Sequence, residues 1–186
     1  MTDLTKHLPV GVARPLQVVR SLMHAIIIAS GCLMALTFFA VVILRYIFHA
    51  DLFAYEEWLM AFAFWGFFMA AAIATHDRAH INADILSLLI TDPVWRWRRA
   101  VLVEALEVFI LSYLVWWGYA MLAEEFASYP MWQTTIALKI PFFVPRLAIA
   151  LGFALMWLFS LLHLWVLIRE GVQADDLVAV EPEDVK

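Results

Sequence analysis

Charged residues make up only 16% of this 186-residue chain, so the carboxylates that fall within its apolar runs are the first candidates for chemistry. Glu104 and Glu107 are three residues apart, share one helical face and lie one to two turns inside such a run. Carboxylates placed there could hold a coupling cation or relay protons. Arg96, Arg98 and Arg99 stand just upstream, so the same pair could equally form an interfacial salt-bridge cluster. Glu56 and Glu57 open a different apolar run, where negative charge favours a helix N-terminus. Arg45 and Arg146 are expected at the same depth, which makes a bridge from Glu56 or Glu57 to Arg45, or to a partner subunit, the alternative role.

Four histidines, His24, His76, His80 and His163, fall near the ends of apolar runs, where imidazoles either make interfacial hydrogen bonds or serve as axial haem ligands. The second role would make the chain a haem- or quinone-anchoring membrane subunit of a respiratory enzyme. The six glycines form no phosphate-binding loop and no nucleophile is coupled to a base, which excludes ATPase and hydrolase readings. The lone Cys32 rules out an intramolecular disulfide. No enzyme activity, cofactor or metal is expected.

These residues need elements to position them, and the composition says which. The chain is 65% hydrophobic, with a mean hydropathy of +0.85, far above the apolar share of water-soluble domains. A soluble core of this size could not hide so many Phe, Trp, Leu and Ile side chains, whereas lipid faces them directly. Four apolar runs predict an all-α integral membrane protein with spans over about 21–45, 56–75, 100–123 and 146–168, forming a single membrane domain over 1–186. The first run is too long for a signal-peptide core and is read as a retained anchor. None alternates with a two-residue period, so a β-barrel is excluded.

Lys6, Arg14, Arg20, Arg78, Arg96, Arg98, Arg99, Arg169 and Lys186 fall on one side of these spans, against Arg45, Lys139 and Arg146 on the other. Both termini are therefore predicted cytoplasmic, with the short connections around Asp51 and Tyr129 outside. Between spans two and three, Ile81, Ile85, Leu88 and Leu89 share a face opposite His80, Asp84, Ser87 and Thr91, which predicts an amphipathic interfacial helix over about 79–91, stopped by Pro93. Trp95, Arg96, Trp97, Arg98 and Arg99 then read as headgroup anchors. Gly66, Ala70 and Ala74 recur every fourth residue and predict one flat face for close helix approach. The acidic segment 171–186 reads as a solvated tail, and the net charge of -5 argues against nucleic-acid binding.

The order Arg45-Tyr46, Tyr55-Glu56-Glu57-Trp58, Trp65, Ala70-Ala71-Ala72-Ile73-Ala74, His80-Ile81 and Asp84-Ile85-Leu86 resembles the DctQ-type small membrane subunits of tripartite ATP-independent periplasmic (TRAP) transporters. Thr135 to Pro141, followed by Pro145, extends the likeness over nearly the whole membrane portion. Two departures are Ala70, where members often carry Gly, and Asp77, where a more basic loop is usual. The resemblance implies a bacterial or archaeal inner-membrane complex with two further parts. One is a large multi-span DctM-type subunit carrying a small organic acid with sodium; the other is a soluble DctP-type periplasmic binding protein. This chain would be the non-catalytic scaffold, touching those partners and membrane lipids. Prolines at span ends and uninterrupted mid-spans agree that the chain is poorly equipped to transport alone.

Overall fold

The computed structural model describes residues 10–79 and 92–173. It is built from four helices, α1 (Val10–Tyr46), α2 (Tyr55–His76), α3 (Pro93–Ala127) and α4 (Phe143–Glu170), with a short 3-10 turn at Gly171–Gln173. All four are long and apolar enough to cross a membrane. Among the described residues the only β-type pairing is an isolated bridge between Thr134 and Pro141. The segment predicted as an interfacial helix, with His80 and Asp84, lies outside the described residues except for Ala79, as does the acidic tail beyond Gln173.

Helices outrun the spans predicted from apolarity. α1 has 37 residues and α3 has 35, about 55 and 52 Å at 1.5 Å per residue, against a hydrocarbon layer of about 30 Å. Charge limits what lipid tolerates, but it does not stop a helix in water or headgroups. α1 accordingly continues through Arg20 and Arg14 at its N-terminal end. α3 begins seven residues before the predicted span. Pro93 sits in its first turn, where its missing N–H would be unsatisfied anyway, and the Asp92 side chain accepts from the Val94 N–H at 2.9 Å. Pro93 therefore starts a helix.

The packing is a row and not a square. α1 lies on α2, α2 on α4 and α4 on α3. Cross-helix contacts run antiparallel from Ser30 to Gly66, parallel from Phe68 to Gly152, and antiparallel from Gly118 to Ala150. Both described chain ends thus lie at one end of the bundle, here the terminal end, and loops 47–54 and 128–142 at the other, the loop end.

Each of these three crossings depends on a glycine. A Cβ at Gly152 would stand 2.7 Å from the Phe68 Cβ, one at Gly66 would stand 3.0 Å from the Ser30 Cβ, and one at Gly118 would stand 3.3 Å from the Ala150 Cα. Gly66 therefore seats α1 at Ser30. Ala70 is exposed and Ala74 half-buried, so the predicted four-residue stripe does not form a single contact face within the chain. α4 sits between two neighbours, and its buried positions Pro145, Ala148, Gly152, Met156, Phe159, His163 and Val166 follow a three-four spacing.

Candidate functional site

The buried residues of α3 are Glu104, Leu111, Gly118 and Glu125, one every seven positions. Seven residues is nearly two helical turns, so all four lie along one line facing the bundle. A carboxylate stands at each end of that line. Their separation of 21 residues is about 32 Å of helix, close to the thickness of the hydrocarbon layer. Glu104 and Glu125 thus stand about one hydrocarbon-layer thickness apart along α3, and each end of the line carries its own polar cluster.

The terminal-end cluster is organised by how α2 stops. Asp77 caps the helix, Arg78 has φ +49°, and the Arg78 and Ala79 N–H groups donate to the Thr75 and Ala74 carbonyls at 3.3 and 2.9 Å. This is a Schellman ending, with arginine in the left-handed position that glycine usually fills. A non-glycine residue there costs on the order of 1 kcal/mol, and the use made of its side chain accounts for its presence. Arg78 Nη2 donates to Glu104 Oε2 of α3 at 2.6 Å, and Arg78 Nε donates to His163 Nδ1 of α4 at 3.2 Å. Because His163 Nδ1 accepts, its proton is on Nε2, which donates to the His76 carbonyl at 3.0 Å and satisfies an orphan acceptor of the α2 terminus. His76 itself is 1% exposed. Its Nδ1 meets Asp77 Oδ1 at 2.7 Å, and its ring meets Phe159 edge-on at 5.1 Å.

Arg20 of α1 closes the set by pairing with Asp77 at 3.3 Å, and Ser160 Oγ of α4 donates to Glu107 Oε1 at 2.8 Å. Trp97 Nε1 donates to the Leu167 carbonyl at 3.0 Å. Four helices are therefore tied at one level by side chains from each. Glu104 and Glu107 were expected to meet Arg96, Arg98 and Arg99. The guanidinium seated on Glu104 instead comes from Arg78, because the Schellman turn aims it there. A coupling ion would have to displace that guanidinium. Among the described residues no cluster of three or more His, Cys, Asp or Glu side chains is grouped to hold a metal.

The loop-end cluster is simpler. Glu125, 2% exposed, pairs with Arg146 in the first turn of α4. Glu57, in the first turn of α2, accepts from the Ala137 and Leu138 N–H groups at 2.8 and 2.7 Å, one on each carboxylate oxygen. These amides sit in a tight turn held by Thr135 N–H to the Ile140 carbonyl at 2.9 Å and Ile140 N–H to Thr135 Oγ1 at 2.9 Å. Lys139 adopts φ +58° there. Arg45 pairs with Asp51 of its own loop at 3.5 Å, both side chains being exposed, and so the expected bridge from Glu57 to Arg45 is not formed. The carboxylate is committed to backbone that apolarity patterns do not reveal. Glu56 is exposed.

The remaining anchors divide by contact. Trp95 is exposed with Arg98 stacked over its ring at 5.6 Å, and Arg169 stacks over Trp165 at 5.1 Å. Arg96 and Arg99 are half-buried. His163 has both ring nitrogens engaged, His76 keeps Nε2 without a partner, and His24 is exposed.

Glu125 is the residue the sequence reading missed, although the seven-residue repeat Glu104, Leu111, Gly118, Glu125 was there to find. Arg20, Asp77 and Ser160 gave no comparable signal, because their roles depend on the α2 turn and the row order.

Comparison with known proteins adds one firm result. The family model described as "Tripartite ATP-independent periplasmic transporters, DctQ component" matches residues 34–170. No curated protein matches the chain. The matched stretch covers most of the sequence and contains both polar clusters apart from Arg20, and the chain belongs to this family. It is a component of a tripartite transporter, with four helices able to span a membrane.

Proposed function

We propose that this DctQ-family chain is the non-catalytic scaffold of a sodium-coupled transporter for small carboxylates in a bacterial or archaeal inner membrane. It braces a large DctM-type subunit and helps seat a DctP-type periplasmic binding protein. The observation that carries this reading is that the inward-facing carboxylates of α3 each have a partner within the chain, although His76 Nε2 and Glu125 Oε1 are buried without one. Glu104 is held by Arg78, Glu107 by Ser160 and Glu125 by Arg146. Transport sites usually leave unwound backbone and open polar groups near the midplane. Here the helices pass the midplane unbroken at Ser30–Gly66, Phe68–Gly152 and Gly118–Ala150. Such a plate resists deformation and offers a fixed surface for a moving partner.

We read the terminal end as the cytoplasmic one, because Arg14, Arg20, Arg78, Arg96, Arg98, Arg99 and Arg169 gather there. Loops 47–54 and 128–142 then face the periplasm, and the Glu57 clamp gives the second of them a defined shape for a binding protein. Reconstitution tests the reading. With the large subunit and binding protein in liposomes, sodium-driven uptake from a panel of labelled small mono- and dicarboxylates is expected to require this chain, while the binding protein retains its ligand affinity without it. Uptake that is equal with and without the chain would refute it. The purified chain is expected to show no Soret band, which distinguishes it from a haem-anchoring subunit.

A further inference from the structure

Tryptophan and tyrosine collect at membrane interfaces, where the ring is apolar and the polar tip can reach water. Among the indoles that face other elements of this chain, three satisfy their N–H groups internally, while Trp132 Nε1 is buried without a partner. Trp58 donates to Thr37 Oγ1 at 3.3 Å, Trp97 to the Leu167 carbonyl at 3.0 Å and Trp157 to Ser112 Oγ at 2.8 Å. The outer face of α3 departs from this. Tyr113, Trp116 and Trp117 are 63, 61 and 47% exposed. Tyr113 and Trp116 lean on each other with ring centroids 5.8 Å apart. Among the described residues, none accepts from the Tyr113 hydroxyl or from either indole N–H.

Their depth makes this costly. The midpoint between Glu104 and Glu125 falls between residues 114 and 115, so these three side chains sit within about 4 Å of the midplane along the helix. They are far from either headgroup layer. Lipid tails accept no hydrogen bonds, and each unmet polar group there costs on the order of a few kcal/mol. α1, at the opposite edge of the row, is different. Its exposed face carries Ile28, Leu36, Phe38, Phe39 and Val42, which have no polar tips and suit lipid directly.

We infer that the outer face of α3, centred on Tyr113, Trp116 and Trp117, is the surface on which a transmembrane helix of the large subunit docks, and that the exposed face of α1 is left to lipid. The occupant presents hydrogen-bond acceptors at mid-membrane, either a Ser, Thr, Asn or Gln side chain or a carbonyl freed where a helix is interrupted. A second copy of this chain fits poorly. A twofold contact would set four donor-only indole N–H groups against two phenol oxygens. The inference rests on the scaffold reading for the identity of the large subunit, and on α3 alone for the face.

Site-specific photocross-linking separates the two. With the complete complex expressed together, p-benzoylphenylalanine at Tyr113 is expected to give a covalent product with the large subunit, and the same group at Phe39 is expected to give lipid adducts only. Both positions are exposed, so the bundle is left intact. A product with the large subunit from Phe39 and not Tyr113, a homodimer from Tyr113, or lipid adducts alone from both positions would overturn the assignment. Uptake assays on the same preparations keep the readings distinct. Loss of uptake on removing the chain, together with no cross-link from Tyr113, leaves the scaffold standing and removes the face. A cross-link from Tyr113 with uptake indifferent to the chain does the reverse.

Discussion

The two ends of the bundle use the same residue types in opposite ways. At the terminal end, Arg20, His76, Asp77, Arg78, Glu104 and His163 form a connected network in which one guanidinium serves two helices, and every helix contributes. At the loop end, Glu125 and Arg146 form one pair between α3 and α4, while Glu57 is spent on the backbone of a turn. A network shares the loss of one member among several contacts. An isolated buried pair cannot, and a clamp on a loop affects only that loop.

This contrast is sharpest at Arg146. Replacing it with Met strands the nearly fully buried Glu125 carboxylate and is expected to cost about 3–5 kcal/mol, read as a lowered denaturation midpoint in detergent micelles by near-ultraviolet circular dichroism. An unchanged midpoint would mean that the loop end is not held by this pair.

At the terminal end, Arg78 combines a strained backbone with a useful side chain. Arg78→Met loses the bridge and keeps the strain, whereas Arg78→Gly loses the bridge and relieves the strain. The glycine variant should therefore be the more stable of the two by about 1 kcal/mol, with both below the parent. Equal midpoints would remove the argument that the left-handed cap exists to aim the guanidinium.

Glu57→Gln retains only one acceptor oxygen and should speed hydrogen exchange at the Ala137 and Leu138 amides while leaving exchange across α2 and α4 as it was. A general loss of protection would show that the clamp belongs to the bundle and not to the loop. Smallest of all, Asp51→Asn breaks an exposed pair at 3.5 Å and should leave the midpoint unmoved.

The same contrast explains what could be read from the chain alone. Four spanning helices followed from runs of apolar residues, because lipid imposes that pattern on every span regardless of partners. The ends of those helices did not follow. Hydropathy reports where lipid ends, while Asp92 and Pro93 at one terminus and the Schellman turn at another decide where the helix ends. Gly66 was recognised as a close-contact residue from its neighbours four positions on, yet its contact is Ser30 of α1, and Ala70 lies outside that contact. The position of Glu104 within an apolar run makes it a salt-bridge or coupling-ion candidate. Sequence separation points to the nearby arginines for its partner, and Arg78 is 26 residues away in sequence. Side-chain partners across a row of helices depend on which helix lies beside which, and that order has no local signature.

The row order also imposes a schedule on synthesis. α1 and α2 are neighbours in space as well as in sequence, so the first hairpin can close as soon as both have left the ribosome. α3 emerges next, but its main packing surface is α4, which is made last. During that interval Glu125 has left the ribosome while Arg146 is still inside it. A chain truncated after Ala127 should therefore hold its first two helices together and leave its third unmoored, an apolar segment with an uncompensated acid near its end.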